Sequence, residues 1–300
     1  MLAGTAYGKS DVRLVKVARH GDRDDLIDLT VTVRFEGDYD ESYTNGDNRG
    51  VLPTDTMKNT VYALAASGPV ESPEEFGLRL CRHFIERNGR LSRVRIDLSE
   101  QPWGRIVVGA REHGQAFARD GGATRTATVQ QDRSKVRVGA GVTDLVILKS
   151  AKSAFTGFMR DEFTTLPESA DRLLATSLTA TWQYWDGEVE YGQTWRAIRT
   201  TLLEAFADHD SRSVQHTLHA MAQSVLDNID AVTAVHLVMP NKHHLPIDLS
   251  RLGLQNRNEI FVPTPEPYGL IEATLVRGEG EPDKPAVATR RTQAVGGTGR

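Results

Sequence analysis

Residues 28–39 read DLTVTVRFEGDY. Leu29, Val31, Val33 and Phe35 fall on one side of an extended chain, and Thr30, Thr32, Arg34 and Glu36 on the other. That alternation is the mark of a strand with one face buried and one wet. Just upstream, DVRLVKV (11–17) reads as a second strand. RVRIDLSEQPW (93–103) and GRIVVGARE (104–112) read as a later pair. Two helical patterns lie between the pairs. One starts at Thr54; the other starts near Pro73 and carries Phe76, Leu80 and Phe84 at steps of four. The order is strand, strand, helix, helix, strand, strand.

The second half repeats it. VTDLVILKS (142–150) and LTATWQYW (178–185) are strand patterns. A helix pattern follows through Tyr191, Trp195, Ile198, Leu202 and Phe206, and another through Val214, Leu218, Met221, Val225 and Ile229. VTAVHLVMP (232–240) and YGLIEATLVR (268–277) close the set. The expectation is an α+β fold of two tandem ββααββ units, residues 1–139 and 140–277, with an antiparallel sheet and helices on one face. Such a sheet leaves two edges, and closing it into a barrel across subunits removes them. A homo-oligomer is therefore expected. Residues 278–300, rich in Gly, Pro and charge, read as a disordered tail.

Apolar residues make up 39% and charged residues 25% of the 300, the balance of a soluble globular chain. Lys and Arg number 36 against 40 Asp and Glu, a net charge of −4. That argues against a general nucleic-acid or membrane binder. Cys81 is the one cysteine, so no intrachain disulfide can form. No apolar run approaches a membrane span, no signal-peptide pattern opens the chain, and its end (GGTGR) is not a peroxisomal address. A cytoplasmic, bacterial protein is the expectation.

Several polar residues invite a functional reading beside a bland one. Lys9, just before the first strand, is either solvated or catalytic. In LPTDTMKN (52–59), either Thr54 or Asp55 can cap the helix, which frees the other for a ligand. Arg172 is either a helix-surface residue or a planar fork for a flat anion. Gln215, beside Val214 at a helix start, is either a first-turn polar residue or a reader of a carbonyl and an adjacent N–H. Phe155 is either core or a stacking platform. In PNKHHLPIDL (240–249), Pro240 ends a strand and leaves Asn241 to His244 at a turn or strand boundary. His216 and His219 stand at a spacing that can ligate, and His243 and His244 are adjacent and diverge. No full metal-ligand signature accompanies either pair. No dinucleotide or phosphate-loop motif is present. Neither a metal nor an organic cofactor is expected.

Taken together, YGKSDVRLVKV, TDTMKNTVYALA, FTGFMRDEFTTLPESADRLLAT, SVQHTLHAMA, PNKHHLPIDL and PYGLIEAT resemble the urate oxidase (uricase) family of the tunnelling-fold group, in family order from residue 7 to about 275. The resemblance implies cofactor-free oxidation of urate by O2 to 5-hydroxyisourate and hydrogen peroxide. It implies a catalytic set of Lys9, Thr54 and His243. Urate binding falls to Thr54, Asp55, Phe155, Arg172, Val214, Gln215 and Asn241. It also implies a tetramer whose sites lie at subunit interfaces, Lys9 and Thr54 meeting the second-half residues of another chain. One departure is Gln115 in EHGQAFARD (112–120), where the family pattern has a second histidine; packing or subunit contacts are affected rather than the site. Two other readings keep a purine-like ligand: a zinc-dependent pterin or purine hydrolase of the same fold, and a purine-binding protein without catalysis.

Overall fold

The computed structural model describes residues 2–119, 121–264 and 266–278. In chain order the elements are β1 (Ala6–His20), β2 (Arg23–Gly37), α1 (Asp40–Thr44), α2 (Thr54–Ser67), α3 (Pro73–Arg87), β3 (Leu91–Glu100), β4 (Trp103–Val108) and β5 (Arg111–Arg119). Next come β6 (Thr124–Asp132), β7 (Val136–Lys149), β8 (Leu174–Tyr184), α4 (Tyr191–Asp208), α5 (Val214–Asn228) and β9 (Val232–Lys242). β10 (His244–Pro246), a 3-10 turn (Ser250–Leu252), β11 (Phe261–Pro263) and β12 (Gly269–Val276) complete the chain.

Eight strands form one antiparallel sheet in the order β1-β2-β3-β6-β7-β8-β9-β12. Leu29, Val31, Val33 and Phe35 of β2 are fully buried on one face, as the alternation requires. Met57, Val61 and Ala65 of α2 and Phe76, Leu80 and Phe84 of α3 join them in the core. In the second half Leu178, Ala180 and Trp182 meet Ile198, Leu202, Leu218, Met221 and Val225. The opposite face keeps polar ladders such as Arg95–Asp97–Thr128. β1 and β12 are the two edges.

The sequence reading needs one correction here. GRIVVGARE is not in the main sheet: it belongs to a separate hairpin of β4 and β5, turned at Gly109. Val107 and Val108 are both exposed, so the segment has no inward face to bury. Trp103 Nε1 donates to Asp28 and Arg105 pairs with Asp25, tying the hairpin to β2. The fourth strand of the first half is β6, TRTATVQQD. Its buried positions include Arg125 beside Ala127 and Val129, which blunts the apolar alternation. β9 also continues two residues past Pro240. The division expected between 139 and 140 falls inside β7. Apart from Gly278, the expected tail lies outside the described residues.

Candidate active site

Lys9 stands opposite Val33 in the β1–β2 ladder, just before a bulge at Asp11. Directly opposed residues share a face, so Lys9 lies on the helix-bearing side with buried Val33. Tyr7, two residues earlier, ties this strand to the start of α2: its hydroxyl accepts from Leu52 N–H at 3.1 Å. Tyr7 is held in turn by edge-on contact with Phe35 and Tyr39. Thr54, the first residue of α2, thus comes to the same corner as Lys9. The shared-cap idea is corrected. Pro53 is the N-cap and no side chain caps the helix. Asp55 instead accepts from Lys58 and Asn59, and the Lys58 ammonium, with a smaller contribution from Lys9, holds its carboxyl below the ordinary value. Proline at the N-cap supplies no side-chain acceptor, so the first N–H groups of α2 are left without a side-chain cap.

The second-half residues gather around a backbone ladder. Ala154 N–H donates to Ser211 O at 2.8 Å, Arg172 N–H to Ser153 O at 2.8 Å, and Phe155 N–H to Ser169 O at 2.8 Å. Buried Thr217 clamps Ser211 at 2.7 Å, and Ser213 caps α5 by accepting from His216 N–H at 3.1 Å. These contacts tie the segments of Phe155 and Arg172 to Ser211, three residues before Val214 at the start of α5. Arg172 is not on a helix; it sits in an extended segment just before β8. Its guanidinium lies 5.1 Å from the centroid of the Phe155 ring. Phe158 stacks on Phe155 at 4.8 Å and 13°. Burial pushes the Arg172 guanidinium below its ordinary value, and its Nε is buried with no hydrogen-bond partner. A buried charged donor without an acceptor is costly, which makes this one a candidate for contact with a ligand. The first-turn N–H groups of Val214 and Gln215 have no partners within their own helix and favour an anion at that end.

Asn241 lies near the end of β9, opposite buried Thr176 on one side and Gly269 on the other. Thr176 Oγ1 is a second buried polar atom without a partner. His243 falls between β9 and β10, and its carbonyl accepts from Thr264 N–H at 2.9 Å. Within one chain, Lys9 and Thr54 do not meet Arg172 and Gln215. β1 and β8 are separated by five steps of the sheet, about 24 Å at ~4.8 Å per step.

His216 pairs with His209 (3.1 Å between ring nitrogens) rather than with His219. Among the described residues no three His, Cys, Asp or Glu side chains form a metal-ligand set. No described helix is long and apolar enough to cross a membrane. Gln115 is exposed and donates to Gly21 O at 3.3 Å, remote in sequence from both residue groups.

The family model for uricase matches residues 5–130 and 138–272, a span that takes in every candidate from Lys9 to His243. The chain belongs to the uricase family. The uricase of Arthrobacter globiformis is 40% identical over 285 residues, covering 95% of this chain and 93% of that relative. A uricase of Danio rerio is 36% identical over 279 residues, covering 91% and 94%. The crystal structure of the Arthrobacter globiformis uricase superposes with a TM-score of 0.91, covering 95% of this chain and 98% of that one. A Bacillus fastidious uricase, at 24% identity and a TM-score of 0.79, shares the fold. Within this uricase chain the sequence reading passed over Tyr7, Ser153, Ser211 and Thr176. Each is placed by a pairing between residues far apart in sequence, Thr176 by its ladder position opposite Asn241, which no local pattern announces. Phe158 stands three residues after Phe155, and that aromatic spacing was the one available sign.

Proposed function

We propose that this protein is a urate oxidase that converts urate, O2 and water to 5-hydroxyisourate and hydrogen peroxide. The observation that carries this reading is similarity to uricases along 95% of the chain. Urate is a flat, electron-rich anion. Arg172 supplies a planar, charged fork, and Gln215 reads a carbonyl and a neighbouring N–H, with the Val214 backbone beside it. Phe155 sets the plane of the urate ring by stacking. Lys9 takes a proton from urate, and the Thr54 hydroxyl relays it. The Asp55 backbone assists at the same helix start. The deprotonated purine then gives two electrons to O2. Asn241 and His243 hold the oxygen, and afterwards the attacking water, over the ring and return the protons.

A site needing both residue groups requires two chains, since five sheet steps separate them in one. We therefore read the functional form as a homo-oligomer, a tetramer on the family pattern. The β1 and β12 edges of neighbouring chains would pair to close a barrel of tandem ββααββ units. The enzyme is read as cytoplasmic. The test is direct: metal-stripped protein is mixed with urate in air, with loss of urate absorbance and release of peroxide both followed. Turnover in equal amounts of the two is expected; binding of urate without peroxide refutes the reading.

A further inference from the structure

The two halves share more than an order of elements. β1 and β7 each bulge at an aspartate in the left-handed region, Asp11 at φ 56° and Asp144 at φ 59°. Five residues after each, a lysine donates to carbonyls at a helix C-terminus: Lys16 to Ala65 and Gly68 at the end of α2, Lys149 to His209 at the end of α4. Ser72 caps α3 as Ser213 caps α5. These markers fix a correspondence. Gln215, second residue of α5, matches Glu74, second residue of α3. Asn241 and Glu100 follow their helix caps at equal separation in sequence. Gly269, opposite Asn241, matches Arg125, opposite Glu100. Lys9 matches Val142, and Thr54 matches Tyr191.

We infer that the seam between the two halves is a second copy of the ligand-binding architecture, and that the Arg125 side chain occupies the ligand's place in it. Removing that side chain leaves a site for a free planar cation of the guanidinium class. The Arg125 guanidinium lies between Glu74 (2.7 Å) and Glu100 (3.6 Å) and over the ring of Trp195 (5.1 Å). Two polar side chains and one aromatic face thus grip a flat group, as Gln215, Asn241 and Phe155 are proposed to grip urate. The opposite charge fits the exchange of two amides for two carboxylates. Glu74 is 0% exposed and Arg125 9%, so the plug is sealed in. Glu74 Oε1, Glu100 Oε2 and the Arg125 Nε all lack hydrogen-bond partners, so the tethered side chain leaves donors and acceptors of the seam unmatched, which a free cation able to turn in the site can pair. At the Gly269 position an added Cβ meets nothing closer than 3.7 Å, so that site is left open where the seam is filled. Val142 and Tyr191 replace the proposed base and relay, so the seam binds without turning over. The inference rests on the proposed ligand contacts of Gln215 and Asn241, but its test uses no urate.

Arg125→Ala is titrated with methylguanidinium, well below denaturing concentrations, and followed by thermal unfolding and calorimetry. A saturable rise of about 2–4 °C is expected in the variant and none in the natural protein. Arg125→Ala/Glu74→Gln, which leaves a single carboxylate, loses most of that rise. If Arg125→Ala does not fold alone, expression with methylguanidinium in the medium restores soluble protein. The inference is overturned by a folded variant that binds no methylguanidinium, by an equal response of the natural protein, or by an unfolded variant that the cation does not rescue.

Discussion

Arg172→Met separates function from stability more sharply than any other change in the site. In the free protein the guanidinium is half-buried with Nε unsatisfied, so it costs stability rather than supplying it. Leaving a buried donor unpaired costs about 1–3 kcal/mol, and partial exposure puts this one at the low end. Against that stands the contact with the Phe155 ring, worth about 0.5–1 kcal/mol at such a site. Methionine keeps most of the apolar stem, and the backbone bond from residue 172 to Ser153 is untouched. The two contributions nearly cancel, so the folding free energy is expected to move by less than about 1 kcal/mol. Activity behaves otherwise. Loss of a preorganised charged donor to a developing anion costs roughly 3 kcal/mol, about a hundredfold in kcat/KM. Binding can be read apart from chemistry, because urate without oxygen has no electron acceptor. Anaerobic urate at about 100 times Kd stabilises the natural protein by about 2.7 kcal/mol. The same concentration should barely shift the variant. A variant that unfolds several degrees lower without urate, or that keeps the full anaerobic shift, refutes the reasoning.

Lys9→Met should abolish turnover while urate affinity is retained; unchanged turnover removes Lys9 from its role. Mixing Lys9→Met and Arg172→Met chains during refolding should restore part of the activity that each lacks alone, because some interfaces then pair an intact Lys9 with an intact Arg172. Inactive mixtures would place each site within one chain. Tyr7→Phe strips the acceptor from Leu52 N–H, and about 1 kcal/mol of stability should go with it, together with a fall in kcat larger than any change in KM; denaturant melts and steady-state rates check both. Burial first, then His216 and Lys149, push the His209 imidazole below its ordinary value near 6.5. The unfolded chain then takes up the proton more readily, so this contribution to stability is complete above about pH 6.5 and falls as the pH drops through the folded value. His209→Gln should flatten that slope in urea melts run at a series of pH values.

Most of the architecture was legible from one-dimensional patterns. The alternation at 28–39 and the four-residue steps of α3 report periods that the backbone itself imposes, and both became core. The strand β6 escaped because Arg125 takes an inward position that periodicity expects to be apolar. The helix start at Thr54 was legible, but its cap was not, since Pro53 displaced the usual side-chain acceptor. The residue types of the site were legible through resemblance, motif by motif. Their supports were not: Tyr7 reaches Leu52 across 45 residues, and the ladder joining Ser153, Ser211 and Arg172 spans 58.

By itself the sequence determined which faces are apolar, where the helices fall and which polar side chains are offered, because these follow from local periodicity and residue chemistry. Tertiary structure alone decided which of those polar groups share a corner. It set Lys9 beside the start of α2, Arg172 against Phe155, and Arg125 between buried Glu74 and half-buried Glu100. Such meetings depend on strand order and register, which sum contributions from the whole sheet and are written in no single segment.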